Sequence, residues 1–461
     1  MRQAAALEKT RSTKNVLVIG ASQRALIPGL IAADFNPIVM DLFADWDTQD
    51  WQVDGTPIRV ILLSQYSDVT HHNLASIADC AIVGGGCELH NDVMVAIAKQ
   101  IPIAGCQPDH LREFARLSNV LQKISRAGCP VPEQINSLNA CQLLANANDV
   151  AVLRKPESSC GGSKIEFVDQ SSPESVRIDW QRDHGNGVFW QHRVDGTSHS
   201  ALLSTNNSKT HLIGVTRQLV GVEWLGAKPF AYCGSIGPLG RRSLDSSFEF
   251  QEASVSLKVA LESSGQMIGQ PFGMSGVWGF DFLSDQSSRP SKFWIVDVNA
   301  RVPASAELFD ASFRSLPPQA GNARSVVEYH LSASANANRA SSQTAVAAAS
   351  PMPDPWNADS MPIEGKAILF NRLGKTITIS ETCFCDLVQY YDQEFFLNND
   401  LGMSLADLPK IGTTIEPGQP ILTIRLRKKR SGDESALIRQ IEEELQQQAV
   451  AVERVLSADF V

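Results

Sequence analysis

The sequence predicts an α/β fold whose first part is a parallel sheet covered by helices. Two observations carry this. Val16-Leu17-Val18-Ile19 is a buried-strand run ending in Gly20, and helix-like stretches alternate with further short apolar runs at 37–40, 59–63 and 80–83. Strands separated by helices can pair in parallel with both faces covered, which gives a Rossmann-like unit over residues 14–108.

Taken in order, the loop Gly20-Ala21-Ser22-Gln23-Arg24 lacks the three-glycine dinucleotide fingerprint, so it is not read as an NAD site. Gly84-Gly85-Gly86 reads as a tight strand-to-helix turn in preference to a ligand cradle. From 108 to 141 the pattern is helical, broken at Gly128-Cys129-Pro130-Val131-Pro132. A mixed region follows to about residue 330. Residues 331–361 turn into Ala/Ser/Asn repeats and prolines, a linker composition that buries little apolar surface. Residues 362–430 read as a small β-rich unit. The tail, 431–461, has heptad-like apolar spacing among Glu and Gln, the pattern of an amphipathic helix that packs on the body or on a second subunit in a homodimer.

Composition limits the function. At 461 residues the chain exceeds one ordinary core, so about two to four compact units are expected. A formal net charge of -10 argues against a nucleic-acid binder. The basic run 425–430 reads as a solvated strand end or loop in preference to a binding patch. Nine cysteines are scattered, with only Cys383 and Cys385 close together and those too close for a usual zinc site, so reduced thiols are expected. No signal-like or membrane-spanning stretch is read, and the expectation is a soluble cytoplasmic protein.

The chemistry gathers in three stretches. Val152-Leu153-Arg154-Lys155-Pro156 is a strand with one inward lysine, followed by Cys160-Gly161-Gly162-Ser163. A strand lysine can meet a phosphate as a point charge, and glycines let backbone N–H groups approach phosphates closely. Alone, this is equally a hairpin with a surface lysine. Phe189-Trp190-Gln191-His192-Arg193-Val194-Asp195-Gly196 is an apolar strand entering a turn. Val277-Trp278-Gly279-Phe280-Asp281-Phe282 and Phe293-Trp294-Ile295-Val296-Asp297-Val298-Asn299-Ala300-Arg301 are two apolar strands carrying hard oxygen ligands. Period-2 alternation puts Asp297, Asn299 and Arg301 on one face, where carboxylate and amide oxygens suit Mg²⁺. Lone His192, His199 and His211 read as hydrogen-bonded structural residues in preference to general bases.

In this order, over roughly residues 15–310, these stretches resemble the ATP-grasp superfamily. The resemblance implies an ATP-grasp fold: a Rossmann-like pre-ATP-grasp unit at 14–108, the ATP-grasp domain at 109–330, and then the β-rich unit. It further implies that ATP phosphates are held by Lys155, Gly161, Gly162 and Ser163, and that Gln191, His192 and Val194 edge the adenine and ribose. Mg²⁺ would lie on Asp281, Asp297 and Asn299, with Arg301 facing the transferred phosphoryl group. The activity implied is ligation of a small-molecule carboxylate to an amine through an acyl phosphate, releasing ADP and phosphate. The stretches 39–45, 214–219 and 232–238 are similar to a branch associated with tetrahydromethanopterin-linked one-carbon metabolism. The chain departs from many relatives at Asn119-Val120, where they carry Asp-Lys. It departs again at Gln191 and His192, in place of an acidic hinge, and at Asp297, in place of glutamate. A bicarbonate-activating enzyme resembling biotin carboxylase or carbamoyl phosphate synthetase, and a non-catalytic ATP-binding protein, stand as alternatives.

Overall fold

The computed structural model describes residues 14–137, 151–240, 257–285, 292–315, 323–339 and 361–458. The first unit is a five-stranded parallel sheet. Its order is Arg59–Leu62, Asn36–Asp41, Asn15–Gly20, Cys80–Val83, Ile103–Ala104. The central strand is buried from Val16 to Gly20, as its unbroken apolar run requires of a strand covered on both faces. The glycine-poor loop after it is closed from within. A Cβ on Gly20 or Gly84 would lie 2.0 or 2.2 Å from side-chain atoms of Gln23, so that buried amide occupies the crevice at the strand ends where a dinucleotide would sit.

The second sheet has eight antiparallel strands. Their order is Lys292–Asn299, Gly276–Asp285, Thr197–Asn206, Lys209–Val220, Tyr232–Gly237, Ile363–Phe370, Pro420–Lys428, Gly402–Ala406. The last three strands correct the reading of residues 362–430 as a separate β-rich unit. Their apolar residues Ile363, Ala367, Leu422 and Ile424 are buried in the same core cluster as Leu203, Phe280 and Ile295. Short strands with turns between them look alike whether they pair among themselves or extend an existing sheet. Two helices within this stretch, Glu381–Val388 and Gln393–Leu397, also differ from an all-β reading.

A third, four-stranded sheet stands apart in the order Glu166–Phe167, Val152–Pro156, Val188–His192, Gln134–Ile135. Its small core is Ile135, Val152, Val168, Val176 and Trp190. The helical reading of 108–141 holds up to the proline turn, in Pro108–Leu111, Arg112–Ala115 and Leu117–Arg126, but not beyond it, where Gln134–Ile135 is a strand and 138–141 lie outside the described residues.

The start of the predicted linker is likewise corrected: Val326–Arg339 is a helix. Val326, Val327 and Tyr329 pack in a cluster with Val16 and Val18 of the parallel sheet and Leu202 and Val277 of the large one. Polar composition toward its C-terminal end masked a helix whose apolar face lies at its start. Residues 340–360 of the linker lie outside the described residues.

The tail is the helix Glu434–Ala458. Leu437, Ile438, Ile441, Leu445, Ala449, Val452 and Leu456 join the main core, so this face is spent on the body of its own chain. A fully buried Leu or Ile contributes about 1.5–3 kcal/mol as an upper bound, enough to dock the helix firmly. Among the described residues, no helix is long and apolar enough to cross a membrane.

The basic run 425–430 departs furthest from expectation. Arg425 and Arg427 are 2% and 3% exposed and paired with buried carboxylates, so the strand is interior, not a solvated end. Cys383 is buried and Cys385 exposed, and the described cysteines are free thiols.

Candidate active site

The site begins with strand alternation in the small sheet. On Val152–Pro156, Arg154 points outward to Glu166 and Asp183, and Lys155 points the other way. Lys155 is 6% exposed. Its Nζ donates to the Val296 carbonyl at 2.9 Å and to Gln191 Oε1 at 3.2 Å, and lies 5.6 Å from the Phe189 ring centroid. Burial pushes its pKa down, and nearby Asp297 and Asp281 pull it back up. Gln191 is fixed in turn by donating to the Pro132 carbonyl at 3.0 Å.

The loop beyond Lys155 turns through two left-handed glycines, with φ of +73° at Gly161 and +71° at Gly162. A Cβ at Gly162 would lie 2.2 Å from the Phe230 carbonyl oxygen, whereas at Gly161 it would meet none of the described residues within 4 Å. The loop is therefore seated against the large sheet, and Tyr232 N donates to the Gly161 carbonyl at 2.9 Å.

The carboxylates come from adjacent strands of the large sheet, where Asp281 lies directly opposite Asp297 and Gly279 opposite Asn299. Cross-strand partners share a face, so the two acids are forced together. Burial raises the pKa of Asp281 to about 6, with the charge of Asp297 adding to the rise. Burial raises Asp297 as well, while Lys155 pulls it down. Asn299 Nδ2 donates to Asp281 Oδ2 at 3.3 Å. Two partly buried like charges on facing strand positions are an electrostatic deficit that a divalent cation would relieve. Among the described residues, no group of three or more His, Cys, Asp or Glu could hold a metal by itself. Two carboxylates and an amide oxygen fit Mg²⁺, which usually takes one or two protein carboxylates and completes its shell with water and phosphate.

These groups line one cavity of about 610 Å³. Lys155, Gly161, Gly162, Gln191, His192, Val194, Asp281, Asp297, Asn299 and Arg301 all contribute to its wall. Ser163 is exposed and is not among the residues that line it. Arg301 is placed at the wall, but its Nε donates to Glu88 of the parallel-sheet unit at 2.6 Å. Nothing in the sequence joins residues so far apart. Arg217, Gln218 and Tyr232 also line the cavity; they fall in the stretches 214–219 and 232–238, whose spacing carries no recognisable chemistry. His199 is a structural residue, stacked on Phe282, with burial holding its pKa down at about 4.

Known proteins share this architecture. An ATP-grasp domain model, ATP-grasp_3, matches residues 118–305. The biotin carboxylase domain of Hydrogenobacter thermophilus 2-oxoglutarate carboxylase, solved as a dimer with MgADP and bicarbonate, superposes with a TM-score of 0.62 at 11% identity, covering 90% of this chain and 86% of that one. Campylobacter jejuni biotin carboxylase gives 0.59 at 12% identity, covering 90% and 87%. Carboxyaminoimidazole ribonucleotide synthase from Aspergillus clavatus, complexed with ATP, gives 0.60 at 11% identity, covering 96% and 99%. No curated protein matches the chain in sequence. Residues 118–305 thus form an ATP-grasp domain, and the chain has the fold of the ATP-grasp superfamily.

Proposed function

We propose that the protein is an ATP-dependent ligase that phosphorylates a small-molecule carboxylate and passes the acyl group to a nucleophile, an amine by the family resemblance. The observation that carries this is the convergence on one cavity of a buried lysine, a seated glycine turn and two opposed aspartates, contributed by two different sheets. Apolar Leu153, Val194, Leu283 and Val296 in the same wall suit a nucleobase. Lys155, Gly161 and Gly162 would hold phosphates, and Asp281, Asp297 and Asn299 would hold Mg²⁺, which supplies charge neutralisation on those phosphates when bound. The chain's own contribution is positioning and electrostatics, because phosphoryl transfer needs in-line geometry and cations more than covalent help. Arg301 faces charge on the moving phosphoryl group, and no nucleophilic side chain takes part.

A second reading, with bicarbonate as the carboxylate, is favoured by the biotin carboxylase neighbour described with MgADP and bicarbonate. ADP release that depends on bicarbonate alone would select it.

Lys155→Ala is expected to weaken Mg·ATP binding about 10- to 100-fold, the value of one charge-assisted contact. Calorimetry that finds equal affinity in a folded variant removes Lys155 from the site. At the loop, Gly162→Ala is expected to cost at least about tenfold in the same measurement, because left-handed strain of about 1–2 kcal/mol adds to a clash with backbone. Gly161→Ala, facing open space, should carry the strain alone and lose less. Equal losses at the two positions would show that the loop is not seated when nucleotide binds.

A further inference from the structure

The turn Gly84-Gly85-Gly86 and the 3-10 helix Cys87–Leu89 after it belong to the parallel-sheet unit, outside the matched domain. They reach the cavity through Arg301. A Cβ on Gly85 would lie 3.4 Å from the Arg301 guanidinium. Gly86, with φ of +93°, leaves room for the Tyr66 hydroxyl, which donates to the Gly85 carbonyl at 3.1 Å. The turn therefore forms a shelf under the guanidinium. From its far end Glu88 Oε1 accepts from Arg301 Nε at 2.6 Å, both side chains being 10% exposed. The other guanidinium nitrogens reach the Val302 carbonyl at 3.2 Å and Cys160 Sγ, on the loop before Gly161, at 3.6 Å. Glu88 Oε2 is buried and has no hydrogen-bond partner among the described residues. A buried carboxylate oxygen left unpaired weakens the fold, which argues that this residue is kept for what it does to Arg301.

We propose that Glu88 is a positioning residue for Arg301, holding its guanidinium on the glycine shelf at the phosphoryl end of the cavity, so that the parallel-sheet unit takes part in phosphoryl transfer. This rests on the reading of the cavity as a Mg·ATP site. A long arginine side chain free to turn would spend its charge on water or on Asp297. Glu88 fixes Nε and the Val302 carbonyl takes Nη1, which leaves Nη2 toward the loop at Cys160 and the cavity.

The test compares MgADP with MgADP plus aluminium fluoride, a planar mimic of the phosphoryl group in transfer, by calorimetry on the full chain. In the wild type, aluminium fluoride should tighten MgADP binding at least about tenfold, the scale of a charge-assisted contact. Glu88→Gln should lose that tightening while MgADP alone binds within about twofold of wild type. Arg301→Ala should lose it too, and the double variant no more than either single one, because the two residues act through one group. Gly85→Val, which crowds the guanidinium without touching its charge partner, should reproduce the loss and carries the test if Glu88→Gln does not fold. Wild-type tightening in Glu88→Gln, or additive losses in the double variant, overturns the proposal. So does a wild type that binds MgADP without tightening. If the wild type binds no MgADP, the nucleotide reading itself fails and the proposal falls with it.

Discussion

Glu307→Gln is expected to destabilise the protein by about 3–5 kcal/mol, measured as a shift in the urea or thermal unfolding midpoint. Glu307 is buried and accepts from Lys366 Nζ at 2.7 Å, from Arg24 Nη2 at 3.1 Å and from Arg425. Arg24 comes from the parallel-sheet unit, and Lys366 and Arg425 from the C-terminal strands that extend the large sheet. The carboxylate thus ties three parts of the chain at one point. Glutamine keeps the size but removes the anion that three buried cations share; Arg24 keeps Asp407 and Arg425 keeps Glu364, while Lys366 loses its carboxylate partner. Glu364, paired with Arg425 and Arg427, cannot move in to help because it is already bonded to both. Removing a cation as well, in Glu307→Gln with Lys366→Met, should recover part of the loss, since deleting a whole buried pair costs less than orphaning one partner.

The same residue sets a pH dependence. Burial pushes the Glu307 pKa up, but Arg425, Lys366 and Arg24 together outweigh it and hold the value well below the ordinary 4.5. Because the folded value is depressed, this stabilisation is present well above pH 4.5 and is lost as the pH falls below it toward the folded value. Wild-type stability should therefore fall on acidification below about pH 5 more steeply than that of Glu307→Gln. Parallel curves would show that Glu307 does not carry the acid response.

What could be read from the sequence depended on whether a residue's role was local. The run Val16 to Ile19, the alternation around Asp297 and Asn299, and the order of the three motif stretches express backbone periodicity, and the described sheets contain them in the expected places. Lys155 could be placed on a strand, but not which way it pointed, until Phe189 and Gln191 stood beside it. Arg425 and Arg427 misled for the opposite reason. Charged residues in a short run are normally solvated, and the partners that allow their burial, Glu307 and Glu364, lie 118 and about 60 residues away. Arg24 reads as a loop residue for the same reason. Glu88 leaves no local trace, since its neighbours His90 and Asp92 look equally polar and only the closing of the parallel sheet against Arg301 selects it.

ATP is expected to be cleaved to ADP and phosphate, and Asp297→Asn is expected to lower that turnover about 100- to 1000-fold while leaving the unfolding midpoint unchanged or higher. The two halves come from the same geometry. Asp281 and Asp297 sit opposite one another, and burial raises the pKa of both in spite of the Lys155 charge beside Asp297, so at neutral pH their charges work against the fold. Replacing one with a neutral amide relieves that repulsion. The same change removes a hard anionic ligand, so the variant should need much more magnesium for whatever turnover remains. A residue whose loss destroys activity without weakening the fold serves the reaction and not the structure. Incubation with ATP, magnesium and pooled carboxylates and amines, followed by nucleotide chromatography and mass spectrometry, measures turnover and route together. Stoichiometric AMP would overturn the acyl-phosphate route. An unchanged magnesium dependence in Asp297→Asn would take this carboxylate out of the site, and the phosphates would then have to be held from the Lys155 side alone.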